Sequence, residues 1–230
     1  MGKIGLKSDY IKIINPSKKI SYFGGNQGWF INDYKSNISR QGCGIISAID
    51  ATLYLNEVHE INVDSYKEMV YKFTKVCPLS EVFMHELFSR FAIGITPWQI
   101  SKYLRKTLNG NYNIKWNGIH GHRDLLLKIE QMLDADIPVI WGLYSFKNRL
   151  TLYQVDKETG EFKESKTVNS HYVNAISVRR NSRGDALHRI MIEVSSWGRR
   201  YYIDFDEYLA YAKQSFASKY FSNLIIISPK

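Results

Sequence analysis

The chain is predicted to fold as an α+β protein, its helices gathered in the first half and a mostly antiparallel sheet built from the second. Three observations carry this. Between Cys43 and Asp134 the apolar residues recur at helical spacing; from Ile137 onward they fall in short runs rich in strand formers and bounded by turns; and helices come before strands rather than alternating with them. Size and composition agree: 230 residues, 44% hydrophobic and 23% charged, can bury a full core and do not describe a disordered, collagen-like or coiled-coil chain.

Taken in order, residues 1–40 are polar and turn-rich around Gly24-Gly-Asn-Gln-Gly28 and read as an irregular lead-in arm. Ile45, Ile46, Ile49, Leu53 and Leu55 then mark a buried helix from Gly44 to about Glu57, with Gly42 and Gly44 loosening the turn before it. Asp64 caps a run through Tyr66, Met69, Val70 and Phe73, and Ser80 opens another with Val82, Leu87 and Phe91. Thr96-Pro97 is a cap followed by proline and starts a helix over Trp98–Leu108. The Asn- and Gly-rich stretch 109–121 is a loop with a short strand at Tyr112–Trp116, and His122–Asp134 is helical again. That completes a mainly helical half, 43–135.

The mainly β half, 136–230, has strands at Ile137–Tyr144, Leu150–Val155, His171–Val178, Arg189–Trp197, Tyr201–Ile203 and Leu224–Ser228. A turn falls at Glu158-Thr-Gly160 and a helix over Asp204–Lys213. The whole chain, 1–230, reads as a single domain.

The formal net charge of +9 favours acidic encounter partners through long-range steering. With no zinc-finger spacing and no RNA-binding aromatic motif, nucleic acid is not the expected ligand. No run approaches ~18 consecutive apolar residues, so no membrane span is expected. Residues 1–15 lack the apolar core of a signal peptide, which points to a cytoplasmic setting. Cys43 and Cys77 are too few for a disulfide framework and are expected as reduced thiols. His120-Gly-His122 brings no third ligand at a known spacing, so neither metal nor cofactor is expected. Ser195 and Ser196 sit in no Gly-x-Ser-x-Gly pattern and are not serine nucleophiles. Arg179, Arg180, Arg183, Arg189, Arg199 and Arg200 read as a solvated face; of these, Arg199 and Arg200 lie near enough to the site described next to meet acidic substrate residues.

Three fragments carry chemistry: Gln41-Gly-Cys-Gly44, Ser170-His-Tyr-Val-Asn-Ala175 and Val194-Ser-Ser-Trp-Gly198. Cys43 falls at the start of a buried helix, where backbone N–H groups and the helix dipole favour a thiolate. His171 opens a strand, and its imidazole titrates near neutrality. Ser195 ends the next strand. If the two strands form a hairpin, the start of one and the end of the other share an edge and His171 neighbours Ser195, with the tip at Arg180–Asp185 at the far end. Ser195 and Trp197 then share a strand face, and Trp197 can shield the site from water.

With these residues in place, the chain resembles the papain-like cysteine peptidases. Gly42-Cys43-Gly44 with Ala48 and Tyr54-Leu55 is similar to the bacteriocin-leader-peptidase branch. His171-Tyr-Val-Asn-Ala resembles the family's histidine strand, and Ser195-Ser-Trp-Gly its Asn-Ser-Trp-Gly segment. His171 follows Cys43 by about 130 positions, near the family spacing. The resemblance implies a papain-like fold, with the cysteine-bearing helix packed on the late sheet. It also implies cleavage of a peptide or protein substrate by a Cys43 thiolate, with His171 as general base and acid and an acyl-thioester intermediate.

The family's orienting Asn or Asp maps onto Ser195, a departure that leaves Glu193 and Asp204 as substitutes. Its oxyanion glutamine, several residues before the cysteine, is replaced by Asn37 at that distance. Gln41 and Gln27 are the other candidates. Transferase and deamidase chemistry use the same pair. Ser195 in the Asn position also favours a catalytically inactive, peptide-binding module, and the charge alone a basic interaction protein.

Overall fold

The computed structural model describes residues 2–33, 37–77, 94–180 and 189–230. In chain order the strands are β1 (Gly2–Gly5), β2 (Lys12–Asn15), β3 (Ile20–Phe23), β4 (Glu60–Asn62), β5 (Tyr112–Trp116), β6 (Val139–Tyr144), β7 (Leu150–Val155), β8 (Phe162–Val168), β9 (Ser170–Arg180), β10 (Ile190–Ser196), β11 (Arg199–Asp204) and β12 (Leu224–Pro229). The helices are α1 (Ile38–Gln41), α2 (Cys43–Leu55), α3 (Val63–Val76), α4 (Pro97–Thr107), α5 (Leu125–Asp134), α6 (Phe205–Ala212) and α7 (Phe216–Phe221). The molecule is α+β, and its large sheet is antiparallel throughout.

That sheet has nine strands in the order β5-β12-β6-β9-β10-β11-β7-β8, with β1 added beside β9. Strand β9 is its axis. Along one edge it pairs with β10; along the other it pairs first with β6, from Ser170 to Ala175, and then with β1, from Ser177 to Arg180. The register between β9 and β10 steps from Glu193↔Ser177 to Val194↔Ala175, so Ile176 is an extra residue bulged out of the ladder.

Helix α2 lies against β9 and β6. Its buried residues run without interruption from Gly44 to Tyr54, because it is enclosed on nearly every side rather than laid on a surface. Ile45 and Ile49 have no exposed area, each contributing roughly 1.5–3 kcal/mol of burial. Gly44 permits the close approach: a Cβ there would sit 2.2 Å from Ile95 Cγ2 and 3.0 Å from the Tyr172 ring. Asn174 on β9 pins the helix by donating Nδ2 to the Ser47 carbonyl at 2.9 Å.

Several expected boundaries shift. Residues 1–40 are not an irregular arm: β1 extends the main sheet, and β2 forms a second, three-stranded sheet with β3 (antiparallel) and β4 (parallel). These strands are short and half exposed, so no apolar alternation marks them. Asp64 does not cap α3; Asn62 does, accepting from Ser65 N–H at 2.8 Å. The Thr96 cap of α4 is a full capping box with Gln99. The helix expected from His122 begins at Leu125, after Asp124 in a left-handed conformation. Strand β8 and helix α7 were not anticipated, β8 because all but its two end residues are exposed polar side chains. The helix expected from Ser80 and the hairpin tip expected at Arg180–Asp185, Arg180 apart, fall outside the described residues. Among the described residues no helix is long and apolar enough to cross a membrane.

Candidate active site

Cys43 is the first residue of α2. Gly42 precedes it with no side-chain cap, so the first N–H groups of the helix have no side-chain partner. Burial pushes the Cys43 thiol above its ordinary range, opposed by backbone N–H groups of Tyr172, Gly44 and Cys43 itself that favour the thiolate. Cys77, the second thiol, is buried against α4 and donates to Gln99 O at 3.7 Å.

His171 is the second residue of β9 and is buried. Its Nε2 lies 2.7 Å from Ser196 Oγ. Trp197 stacks on the imidazole, with ring centroids 4.2 Å apart and planes 15° from parallel. Burial, with the positive charge of Lys166 adding to it, lowers His171 to about 3, so the ring is neutral at physiological pH. Cys43 and His171 line the same two small cavities, one on each side of them. The cavity on the Trp197 side holds about 10 Å³, close to one water, and the other about 40 Å³.

Ser195 is not the neighbour of His171. Its register partner is Asn174, which puts both on the α2 side of the sheet, and its Oγ donates to Phe23 O at 3.0 Å. The next residue, Ser196, faces the other way and reaches the imidazole. Strands β9 and β10 do pair antiparallel, but the residue beside His171 is Ser196 rather than Ser195, and in a strand a step of one residue reverses the face. Trp197 covers His171, not Ser195. It leaves the strand at φ 47 and, with Gly198 at φ 72, forms the two-residue turn from Ser196 to Arg199.

Glu193 is elsewhere and occupied: it accepts from Ser177 at 2.8 Å and Arg179 at 3.0 Å, with Arg200 at 3.4 Å. Asp204 caps α6 through the Asp206 and Glu207 N–H groups. Neither orients His171. Gln27 does line the cavity on the Trp197 side, its Nε2 donating one hydrogen to Ser39 O at 3.0 Å. Gln41 lines the opposite cavity. Asn37 precedes α1 in a left-handed conformation and lines neither.

A buried carboxylate completes the floor. Asp50, seven residues after Cys43 on the same helix face, accepts from Gly25 N–H at 3.0 Å, Tyr66 OH at 2.6 Å and Tyr10 OH at 3.4 Å. Tyr10 in turn accepts from Asn174 Nδ2 at 2.7 Å. Burial raises Asp50 to about 6 against these bonds. Gly24 and Gly25 are forced by this packing: at Gly24, φ is +73° and a Cβ would lie 2.3 Å from Ser195 Oγ and 2.6 Å from Asp50 Oδ2. The glycine segment is also bound to the Trp197–Gly198 turn, through Gly198 N–H to Gly25 O at 2.8 Å and Phe23 N–H to Gly198 O at 2.9 Å. Asp50 and Ser195 thus hold the wall that carries Gln27 into the cleft. A lone carboxylate on the inner face of an apolar helix was the available signal for it.

His122 is tied to Ser222 O at 2.7 Å, and among the described residues no cluster of His, Cys, Asp and Glu is arranged to hold a metal. A roomier depression, about 540 Å³, lies by Tyr54, His59 and Asp136 and is lined by no cysteine. Comparison of the chain with protein-family models, with curated proteins and with solved structures returns no match.

Proposed function

We propose that the protein carries out thiol-dependent acyl chemistry, with peptide-bond hydrolysis by Cys43 and His171 as its reaction and a papain-like arrangement of helix and sheet as its frame. One observation carries the reading: a cysteine at a helix N-terminus and a histidine held by Ser196 and covered by Trp197 line one cleft from elements far apart in sequence. A histidine packed for structure alone has no need to border two cavities shared with a thiol.

In this reading the Nε2–H of His171 donates to Ser196 Oγ, which leaves Nδ1 bare toward the cleft. Because burial disfavours both charged forms, thiol and imidazole rest neutral. Nδ1 takes the Sγ proton as the sulfur attacks the acyl carbon, and the new charge moves onto the carbonyl oxygen. The Cys43 N–H and the second Nε2 hydrogen of Gln27 are the donors for that oxygen. Nδ1–H then protonates the leaving amine, and water, deprotonated by His171, hydrolyses the thioester and frees the thiol. A cytoplasmic setting, in which Cys43 stays reduced, belongs to the proposal.

The Cys43 alkylation rate between pH 4 and 9 tests it. With His171 assisting the thiol, iodoacetamide should react with Cys43 quickly well below pH 8. His171→Ala should leave only the slow reaction of an ordinary thiol, rising near pH 8.5–9. Cys43→Ala should abolish the fast reaction and Cys77→Ala should not. Equal slow rates in wild type and His171→Ala would sink the assignment and favour a peptide-binding module without catalysis.

A further inference from the structure

Three exposed cations lie at the approach to Cys43. Lys166 on β8 holds its Nζ 4.7 Å over the Trp197 ring, on a residue that itself stacks on His171. Arg199 pairs directly with Ser196 across β10 and β11, and side chains of a direct cross-strand pair project on the same face. Arg40 lines the opposite cavity, beside Cys43. All three are exposed. Among the described residues none of them is ion-paired with a carboxylate, whereas Arg179 and Arg200 are taken up by Glu193. Among the described residues the one carboxylate lining either cavity is Asp50, buried and engaged by Gly25, Tyr66 and Tyr10. A single solvated lysine would mean nothing. Three cations from three separate elements, gathered about one thiol with no counter-ion among the described residues, are a field.

We propose that the cleft takes acidic peptides, with a carboxylate side chain next to the reacting carbonyl met by Lys166 and Arg199 and with Arg40 extending the same preference beyond Cys43. The inference rests on Cys43 being the nucleophile, and its test separates the two. In a Cys77→Ala background, Cys43 displaces iodide from iodoacetate or from iodoacetamide. Both reagents react with the same sulfur, so the ratio of their rates reads the local field and the absolute rate reads the nucleophile.

A cation about 8–10 Å from the reacting carbon in a water-like medium changes the rate of an anionic reagent about two-fold. The iodoacetate-to-iodoacetamide ratio should therefore exceed that of free cysteine by roughly ten-fold at low ionic strength. It should fall about two-fold with each of Lys166→Gln, Arg199→Gln and Arg40→Gln, reach the free-cysteine value in the triple variant, and lose its excess near 1 M salt. A wild-type ratio equal to free cysteine, unmoved by the substitutions, overturns the proposal while fast absolute rates keep the acyl reading alive. Slow rates with the ratio still raised do the reverse. Peptidyl acyloxymethyl ketones bearing Glu or Gln before the ketone give the peptide arm: the Glu reagent should label Cys43 several-fold faster, and equal labelling overturns the acidic-peptide assignment.

Discussion

Replacing Ser196 by alanine removes the only described partner of His171 Nε2, a bond of 2.7 Å between two groups that are each 6% exposed. Its loss has two separable costs. Leaving a buried N–H unsatisfied costs about 1–3 kcal/mol, which should appear as a lower urea midpoint. Losing the orientation of the imidazole removes a net bond worth about 1–2 kcal/mol at the moment of proton transfer, which slows Cys43 alkylation at pH 6 by about 5–30-fold. Ser195→Ala loses a bond of similar length, to Phe23 O, but that bond holds the glycine segment and not the histidine. Its effect should fall on stability, with the alkylation rate within about three-fold of wild type. Ser196→Thr keeps the hydroxyl and should recover most of the rate. Mass spectrometry of the alkylated chain at timed intervals, with urea unfolding beside it, reads both quantities. Slow alkylation in Ser195→Ala, with a normal rate in a folded Ser196→Ala, would refute the assignment of Ser196.

The buried Asp50 and His171 give stability opposite slopes with pH. Asp50 rises from an unfolded value near 3.8 to about 6, so its ionisation destabilises the fold above pH 6 and the penalty fades as pH falls toward 4. His171 drops from near 6.5 to about 3, so its contribution is fully present above pH 6.5 and is lost as pH falls toward 3. Relative to wild type, Asp50→Asn should gain about 1 kcal/mol more at pH 7.5 than at pH 5; a pH-independent difference would refute the raised carboxyl. Gly24→Ala and Gly160→Ala both place alanine at φ +73°, but only at Gly24 would the Cβ collide, Gly160 having nothing within 4 Å. The first should cost about 2–4 kcal/mol and the second about 1, measured by urea unfolding, and equal costs would mean the wall of the cleft is not tightly packed.

How much could be seen in advance depended on how many residues shared a signal. Helix α2 was legible because five apolar residues repeat at helical spacing, and α4 because Thr96-Pro97 states its own start. Strands β1 and β8 were not, since an edge strand of four to seven mostly polar residues has no apolar period and is defined only by the partner it pairs with. At the site, Cys43 and His171 stood out by residue type and position. Ser196 did not, because which of two adjacent serines faces the histidine depends on the register with Asn174 and on a turn in which Trp197 takes a positive φ. Asp50 needed the tertiary contact with Gly25 to have any meaning.

The clasp between Phe23–Gly25 and the Trp197–Gly198 turn has a consequence for the order of events in synthesis. Cys43 leaves the ribosome early, but its histidine, the hydroxyl that holds it and the indole that covers it all follow more than a hundred residues later. Contacts of such separation carry a large loop-closure cost and form slowly. A nascent chain therefore carries the Cys43 thiol without its histidine until the segment through Trp197 has emerged. In the proposed acyl chemistry the clasp is a built-in delay, since Cys43 gains its base only when the two segments are joined.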